Sequence, residues 1–179
     1  IGISKYNIDF FNKNIIDIRK IIWKLNRIEI FSENLKKEKL INFEKNDDQI
    51  FSIIRNYKLY GLLKNNLSKI KIFKSQFIDQ DDISFVNKYE LIINCDQTNI
   101  ITNRYFSKKI IKKYNSHAYT TIIKHDRILN DVACQIFTKN GPLAFLPISN
   151  METSVVYSIH NSINEKKNIK KLIKDNNFR

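Results

Sequence analysis

The apolar positions change period about two-thirds of the way along the chain. Over residues 5–25, Ile8, Phe11, Ile15, Ile18 and Ile22 recur at three- and four-residue steps, which predicts a helical stretch. Short strands are expected next. At Arg27–Phe31, Ile28 and Ile30 alternate with polar neighbours, and Leu40–Phe43 and Ile50–Ile54 follow. A turn at Ser32–Asn34 and a loop around Asn46-Asp47-Asp48 separate them. Asn56 to Leu67 reads as a helix carrying Leu59, Leu62, Leu63 and Leu67 on one stripe. Ile70–Phe73 is expected to be a strand. Phe77-Ile78 and Ile83–Val86 look like a hairpin closed at Asp79–Asp82. Glu90–Cys95 reads as a buried strand ending at Asp96, and Phe106 to Tyr114 as a short basic helix.

From there the period is that of strands. His117–Lys124, Asp131–Thr138, Leu143–Ile148 and Thr153–Ile159 are four β runs, with tight turns at Asn140-Gly141-Pro142 and Asn150-Met151-Glu152. Short links of this kind predict an antiparallel meander. Pro147 inside a β run calls for an edge or a bulge. Ile163 to Ile173 reads as a weak amphipathic helix. The fold class expected is α+β, or part of an α/β protein with an inserted sheet.

Composition narrows the classes. The 179 residues are 42% hydrophobic and 12% aromatic, enough to bury a core, which excludes an intrinsically disordered chain. Three Gly and two Pro exclude collagen-like and linker sequences. Two cysteines, Cys95 and Cys134, exclude a disulfide scaffold. No window approaches about eighteen unbroken apolar residues. The chain opens Ile1-Gly2-Ile3 without Met, so its true N-terminus is expected to lie elsewhere.

The formal charge of +13 suggests an anionic partner. Yet the chain holds 33 Ile, 25 Lys and 23 Asn against three Ala and six Arg, the signature of A/T-rich codons. The Lys pairs are scattered, and a phosphate-reading surface would favour Arg. Nucleic-acid binding is therefore not expected. The alternative kept open is a basic, non-catalytic module that holds RNA or an anionic membrane surface through Phe106–Tyr114 and Ile163–Lys174.

Tests for catalytic chemistry come out empty. No G-x-S-x-G elbow is present, and His117, His125 and His160 read as strand-end or turn residues. The cysteines are isolated, and no third ligand accompanies His117 and His125, so no metal site is expected. Asp47-Asp48 and Asp81-Asp82 read as solvated turns. Both glycine-rich phosphate motifs are absent. Two segments stand out: Tyr89–Asn99, where an apolar run stops at Asp96, and the series Gln135–Phe137, Gly141–Ser149 and Ser154–Ser158. In open α/β proteins cofactors bind beyond strand carboxyl ends, whereas an Asp there can equally do no more than cap the following turn.

In this order and spacing these segments resemble the flavoprotein aromatic hydroxylases of ubiquinone biosynthesis, which have the p-hydroxybenzoate hydroxylase fold. Ala133, Phe137, Gly141, Pro142, Ala144, Leu146, Pro147 and Ile148 fit that family's A-x-x-x-F and G-P-x-A-x-L-P-L runs. Ser154-Val155-Val156-Tyr157-Ser158 fits its S-I-V-W-S strand. Ile28–Ser32 looks like its I-x-V-x-D strand, and Ile53–Leu59 with Leu63 like its V-V-x-N-R-x-L-x-x-x-L segment. Asp96 takes the place of the Asp of the D-G motif, with Gln97 where Gly is usual and Asn94 and Cys95 where Gly and Ala are usual. Ile100 takes the Ser place, and Asn103 or Arg104 the Arg place. Tyr57 falls where a flavin-contacting Arg is usual, with Arg55 close by.

The resemblance spans residues 5–160 and implies the central piece of an FAD-dependent monooxygenase that lacks the N-terminal G-x-G-x-x-G and the C-terminal G-D. It implies that residues 1–26 and 54–115 belong to an FAD domain, that 27–53 and 116–160 form a substrate-domain sheet, and that 161–179 are a helical tail. It implies FAD, with NAD(P)H as co-substrate, a polyprenylated phenol as substrate, and no catalytic side chain of the protein's own, because the cofactor carries the chemistry. Asp96, Gln97 and Arg55 are then the candidate cofactor contacts, and Phe145 and Tyr157 the candidate substrate contacts. The partners implied are other ubiquinone-biosynthesis proteins or the missing halves of the enzyme. The place implied is the cytoplasm, with peripheral contact at the inner membrane.

Overall fold

The computed structural model describes residues 1–33, 38–44, 50–76, 84–106, 110 and 112–160. The fold is α+β. The chain forms two compact units, Ile1–Leu67 with Asn115–Arg179, and Ser68–Tyr114.

The first unit is built on two sheets. β1 (Gly2–Ser4), β5 (Phe51–Ile54) and β2 (Ile22–Leu25) form a three-stranded antiparallel sheet with β5 in the middle. The second sheet runs β4 (Lys39–Glu44), β3 (Arg27–Ser32), β7 (Val132–Thr138), β8 (Gly141–Ser149), β9 (Glu152–His160) and β6 (Ser116–Lys124). Strands expected at 27–53 and at 116–160 thus share one sheet, apart from β5. The pairing is antiparallel except for β3 with β7, which run parallel from Arg27↔Val132 to Ser32↔Phe137. Only Asn26 separates β2 from β3, so the chain steps from one sheet to the other within a residue. That step is pinned by Asn26 N–H donating to the Asp131 carbonyl at 2.9 Å.

Both faces of the small sheet are packed. Ile3, Ile8, Ile18 and Ile54 form one core with Phe11 of α1 (Lys5–Asn14) and with Leu59 and Leu62 of α2 (Asn56–Leu67). Leu25, Ile53 and Ala133 form another between the sheets, with Trp23, Ile28, Leu146 and Ile148. On the opposite face of the large sheet Cys134, Ile136, Leu143, Phe145, Val155, Tyr157 and Ile159 pack together. Alternation along β8 and β9 creates that core, because every second side chain points to the same face.

Two expectations for this unit are corrected and one is met. The helix expected over 5–25 ends at Asn14. There the Asn12 side chain accepts the Ile18 N–H at 2.9 Å and an Asp17–Arg19 turn follows, so Ile18 reaches the core from a turn and Ile22 from a strand. The four late strands are not a simple meander. β7, β8 and β9 are, but β6 lies beyond β9 in register Ser116↔His160 to Lys124↔Glu152, and the 125–131 link crosses back to β7. Pro147 is buried in a central strand, where a bulge between Pro147 and Ser149 accommodates its missing N–H.

In the Ser68–Tyr114 unit neither Ile70–Phe73 nor Glu90–Cys95 is a strand, and Leu91 and Ile93 are 76% and 78% exposed. Ser84–Lys88 is a 3₁₀ turn where the hairpin's second strand was expected, and the rest of that hairpin lies outside the described residues. The helix here is α3 (Ile100–Tyr105), capped by Asn99 and closed at Phe106. The described residues of 106–114 are not helical. The expected 46–48 loop, residue 34 of the Ser32–Asn34 turn, and the 163–174 tail helix lie outside the described residues.

Candidate functional site

The core-bearing face of the large sheet is not packed shut. A cavity of about 400 Å3 opens on it, walled by Phe31 of β3, Cys134 and Ile136 of β7, and Phe145 and Pro147 of β8. Ile123 of β6 and Ile128 of the 125–131 link close another side. A volume of that order suits a ring with a short substituent.

Its polar members fall in two groups. Glu29 is 7% exposed; its Oε1 accepts from Lys39 Nζ at 2.7 Å and lies 3.0 Å from Arg27 Nε, an ion pair without a hydrogen bond. Burial of the carboxylate is tolerated because Arg27 of its own strand and Lys39 of the neighbouring β4 each bring a cation to it. The other group is His125, Asn130 and Thr153. His125 Nδ1 lies 2.8 Å from the Asp126 carbonyl. A carbonyl only accepts, so Nδ1 donates to it, while Nε2 lies 3.1 Å from the Thr153 hydroxyl and 3.4 Å from Asn130 Nδ2. Asn130, 2% exposed, donates from Nδ2 to the Ser149 carbonyl at 2.8 Å, to Thr153 Oγ1 at 3.0 Å and to the Glu152 carbonyl at 3.3 Å. Its backbone carbonyl accepts from the Trp23 indole at 2.7 Å. Asn130 therefore ties the 125–131 link to the β8–β9 turn and to the small sheet. No periodicity marks a lone loop Asn, so sequence reasoning passed it over. The position of Glu29 on a strand was legible and its buried pairing was not.

Of the residues singled out in the sequence, Phe145 lines the cavity. Tyr157 is fully buried beside it in the same core, its hydroxyl 3.1 Å from Thr138 Oγ1, and it does not line the cavity. Arg55, between β5 and α2, is paired with Glu152 at the head of β9. That hydrogen bond raises the guanidinium and holds the Glu152 carboxyl below its ordinary value.

Asp96 and Gln97 are exposed residues of the Ser68–Tyr114 unit. Asp96 Oδ1 accepts from the Thr98 N–H at 2.8 Å and the Thr98 hydroxyl at 2.6 Å, which lowers the carboxyl. Asn94, Asn99 and Thr102 complete a local knot. Asn94 Nδ2 donates to Thr102 Oγ1, Asn99 Nδ2 to Asn94 Oδ1, and Thr102 Oγ1 to the Asp96 carbonyl. Thus Asp96 does not end a strand, and its acceptor is engaged within its own turn.

A flavin dinucleotide requires backbone to approach its phosphates closely. Among the described residues the one glycine with a positive φ is Gly141, at +136°, and it turns β7 into β8 with Ser158 backbone against it. The N-terminal amide of Thr102 in α3 is taken by Asn99 Oδ1 at 2.9 Å. Among the described residues these groups do not fit a dinucleotide's phosphates. No group of three His, Cys, Asp or Glu gathers among the described residues, and no helix of them is long and apolar enough to cross a membrane. No protein-family model matches the chain, and no curated protein is similar to it.

Proposed function

We propose that this chain supplies the phenol-facing wall of a flavin-dependent aromatic hydroxylase, with the dinucleotide contacts supplied from outside these residues. One observation carries the reading. Of the two segments that the resemblance assigns to a substrate sheet, 27–53 and 116–160, β3 and β4 of the first join the second edge to edge through β3 and β7 while β5 lies in the small sheet, and an apolar cavity with Phe145 in its wall opens on that shared face. The work of such a wall is to hold a ring and exclude water. Phe31, Ile136, Phe145 and Pro147 do this by surface burial, at about 25 cal/mol per Å2 of apolar area covered. FAD, NAD(P)H and the polyprenylated phenol enter through the resemblance, and peripheral contact with the inner membrane belongs to the same proposal.

The test is amide NMR of the purified chain. Added 4-propylphenol is expected to shift the resonances of Phe31, Cys134, Ile136 and Phe145 saturably, whereas FAD leaves them unmoved and its fluorescence unquenched. Failure of the phenol to shift those signals, or a sub-micromolar dissociation constant for FAD, overturns the reading.

A further inference from the structure

We infer that the Arg55–Glu152 ion pair positions the polar end of the cavity. Through the β8–β9 turn it holds His125, Asn130 and Thr153 in place, so that affinity in the cavity depends on two residues that do not line it. This dependence rests on the proposed reading of the cavity as a ring site and adds what governs it.

The 125–131 link brings His125, Asp126, Ile128 and Asn130 to the cavity wall, yet it forms neither helix nor strand. It hangs on the β8–β9 turn. The His125 N–H donates to the Met151 carbonyl at 3.0 Å, and the Ile128 N–H to the Asn150 carbonyl at 3.0 Å. Asn130 Nδ2 adds its contacts with the Ser149 and Glu152 carbonyls and with Thr153 Oγ1. Where the turn sits therefore decides where the polar end sits. The apolar end is fixed differently, because Phe31, Ile136 and Phe145 belong to the β3–β7–β8 ladders.

Glu152 anchors the turn to the rest of the unit. Arg55 Nη2, at the junction of β5 and α2, donates to its Oε2. Lys124, opposite it on β6, and Lys58 of α2 add attraction. Neither Arg55 nor Glu152 lines the cavity, and each side chain is only 25% exposed. Such a pair is screened less than one in open water, and removing one charge leaves the other largely desolvated and alone. Without its partner Glu152 is drawn toward solvent, and the carbonyl that meets Asn130 and the adjoining Thr153 shift with it.

The intact chain allows a direct test, because Trp23, its single tryptophan, donates to the Asn130 carbonyl and reports from the site. Trp23 fluorescence is titrated with 4-propylphenol in the parent chain, in Glu152→Gln, which keeps the shape and removes the charge, and in Arg55→Ala. Binding is expected to weaken by about fivefold or more in both variants. In amide NMR without ligand, the signals of His125, Asn130 and Thr153 are expected to move in both variants, while those of Phe31 and Ile136 stay in place. If Arg55→Ala does not fold, Glu152→Gln decides. Parent affinity in Glu152→Gln, or ligand-free signals that stay in place at the polar end or move alike at both ends, overturns the inference and leaves the ring site standing. A parent chain that 4-propylphenol does not saturate overturns the ring site, and the ligand-free spectra then decide whether the pair positions the cavity.

Discussion

Two stretches of similar apolar content meet opposite fates. In β8 and β9 every second residue from Leu143 to Pro147 and from Thr153 to Ile159 is buried, and the backbone is spent in ladders on both sides. In Tyr89–Cys95 the run Leu91-Ile92-Ile93 finds no ladder, and Leu91 and Ile93 stand in solvent. Hydrophobicity is thus not what distinguishes a strand here. The late segments alternate, and each has a partner one tight turn away. The run at 91–93 does not alternate, and the polar residues after it satisfy one another locally, offering the backbone another arrangement.

The largest test of the contrast is Tyr157→Ala. It empties a fully buried position between β8 and β6 and should lower unfolding stability by about 3–5 kcal/mol in urea denaturation. Gly141→Ala comes next. The added Cβ would stand 2.0 Å from the Ser158 carbonyl oxygen, at a φ that side chains resist, and a loss of about 2–3 kcal/mol is expected by the same measurement. By contrast, Leu91→Ser and Ile93→Ser should each move the midpoint by less than about 0.5 kcal/mol. A loss near 2 kcal/mol for either would show that the 91–93 run is covered after all.

The smallest effect is a pH dependence. Glu152 has its carboxyl lowered chiefly by the Arg55 hydrogen bond. Its contribution to stability is therefore complete above the unfolded carboxylate value of about 4.3. It fades as pH falls through the lower, folded value. Urea midpoints from pH 7 to pH 3 should show less of this acid loss in Arg55→Ala than in the parent chain. Equal slopes would mean that the pair contributes nothing.

Local patterns carried much of this. The Leu59, Leu62, Leu63, Leu67 stripe marked α2 to the residue, and alternation found β3, β5, β7, β8 and β9 to within one or two residues at each end. What failed depends on partners that spacing cannot encode. The three- and four-residue period of isoleucines runs past Asn14, but Asn12 turns the chain out of the helix. β6 has an ordinary strand sequence, and nothing in it says that it pairs with β9 and not with β7. Phe145 was legible as an apolar strand residue beside a bulge-forming proline. Asn130 was not, because its role comes from carbonyls 19 and 22 residues away across a turn.

The parallel seam between β3 and β7 also sets a schedule for biosynthesis. Asn26 meets Asp131 across 105 residues of chain. At about 5–20 residues per second, a ribosome leaves the edge of β3 uncovered for about 5–20 s before its mate emerges. During that interval the nascent protein carries an open β edge, a natural client for a holding chaperone.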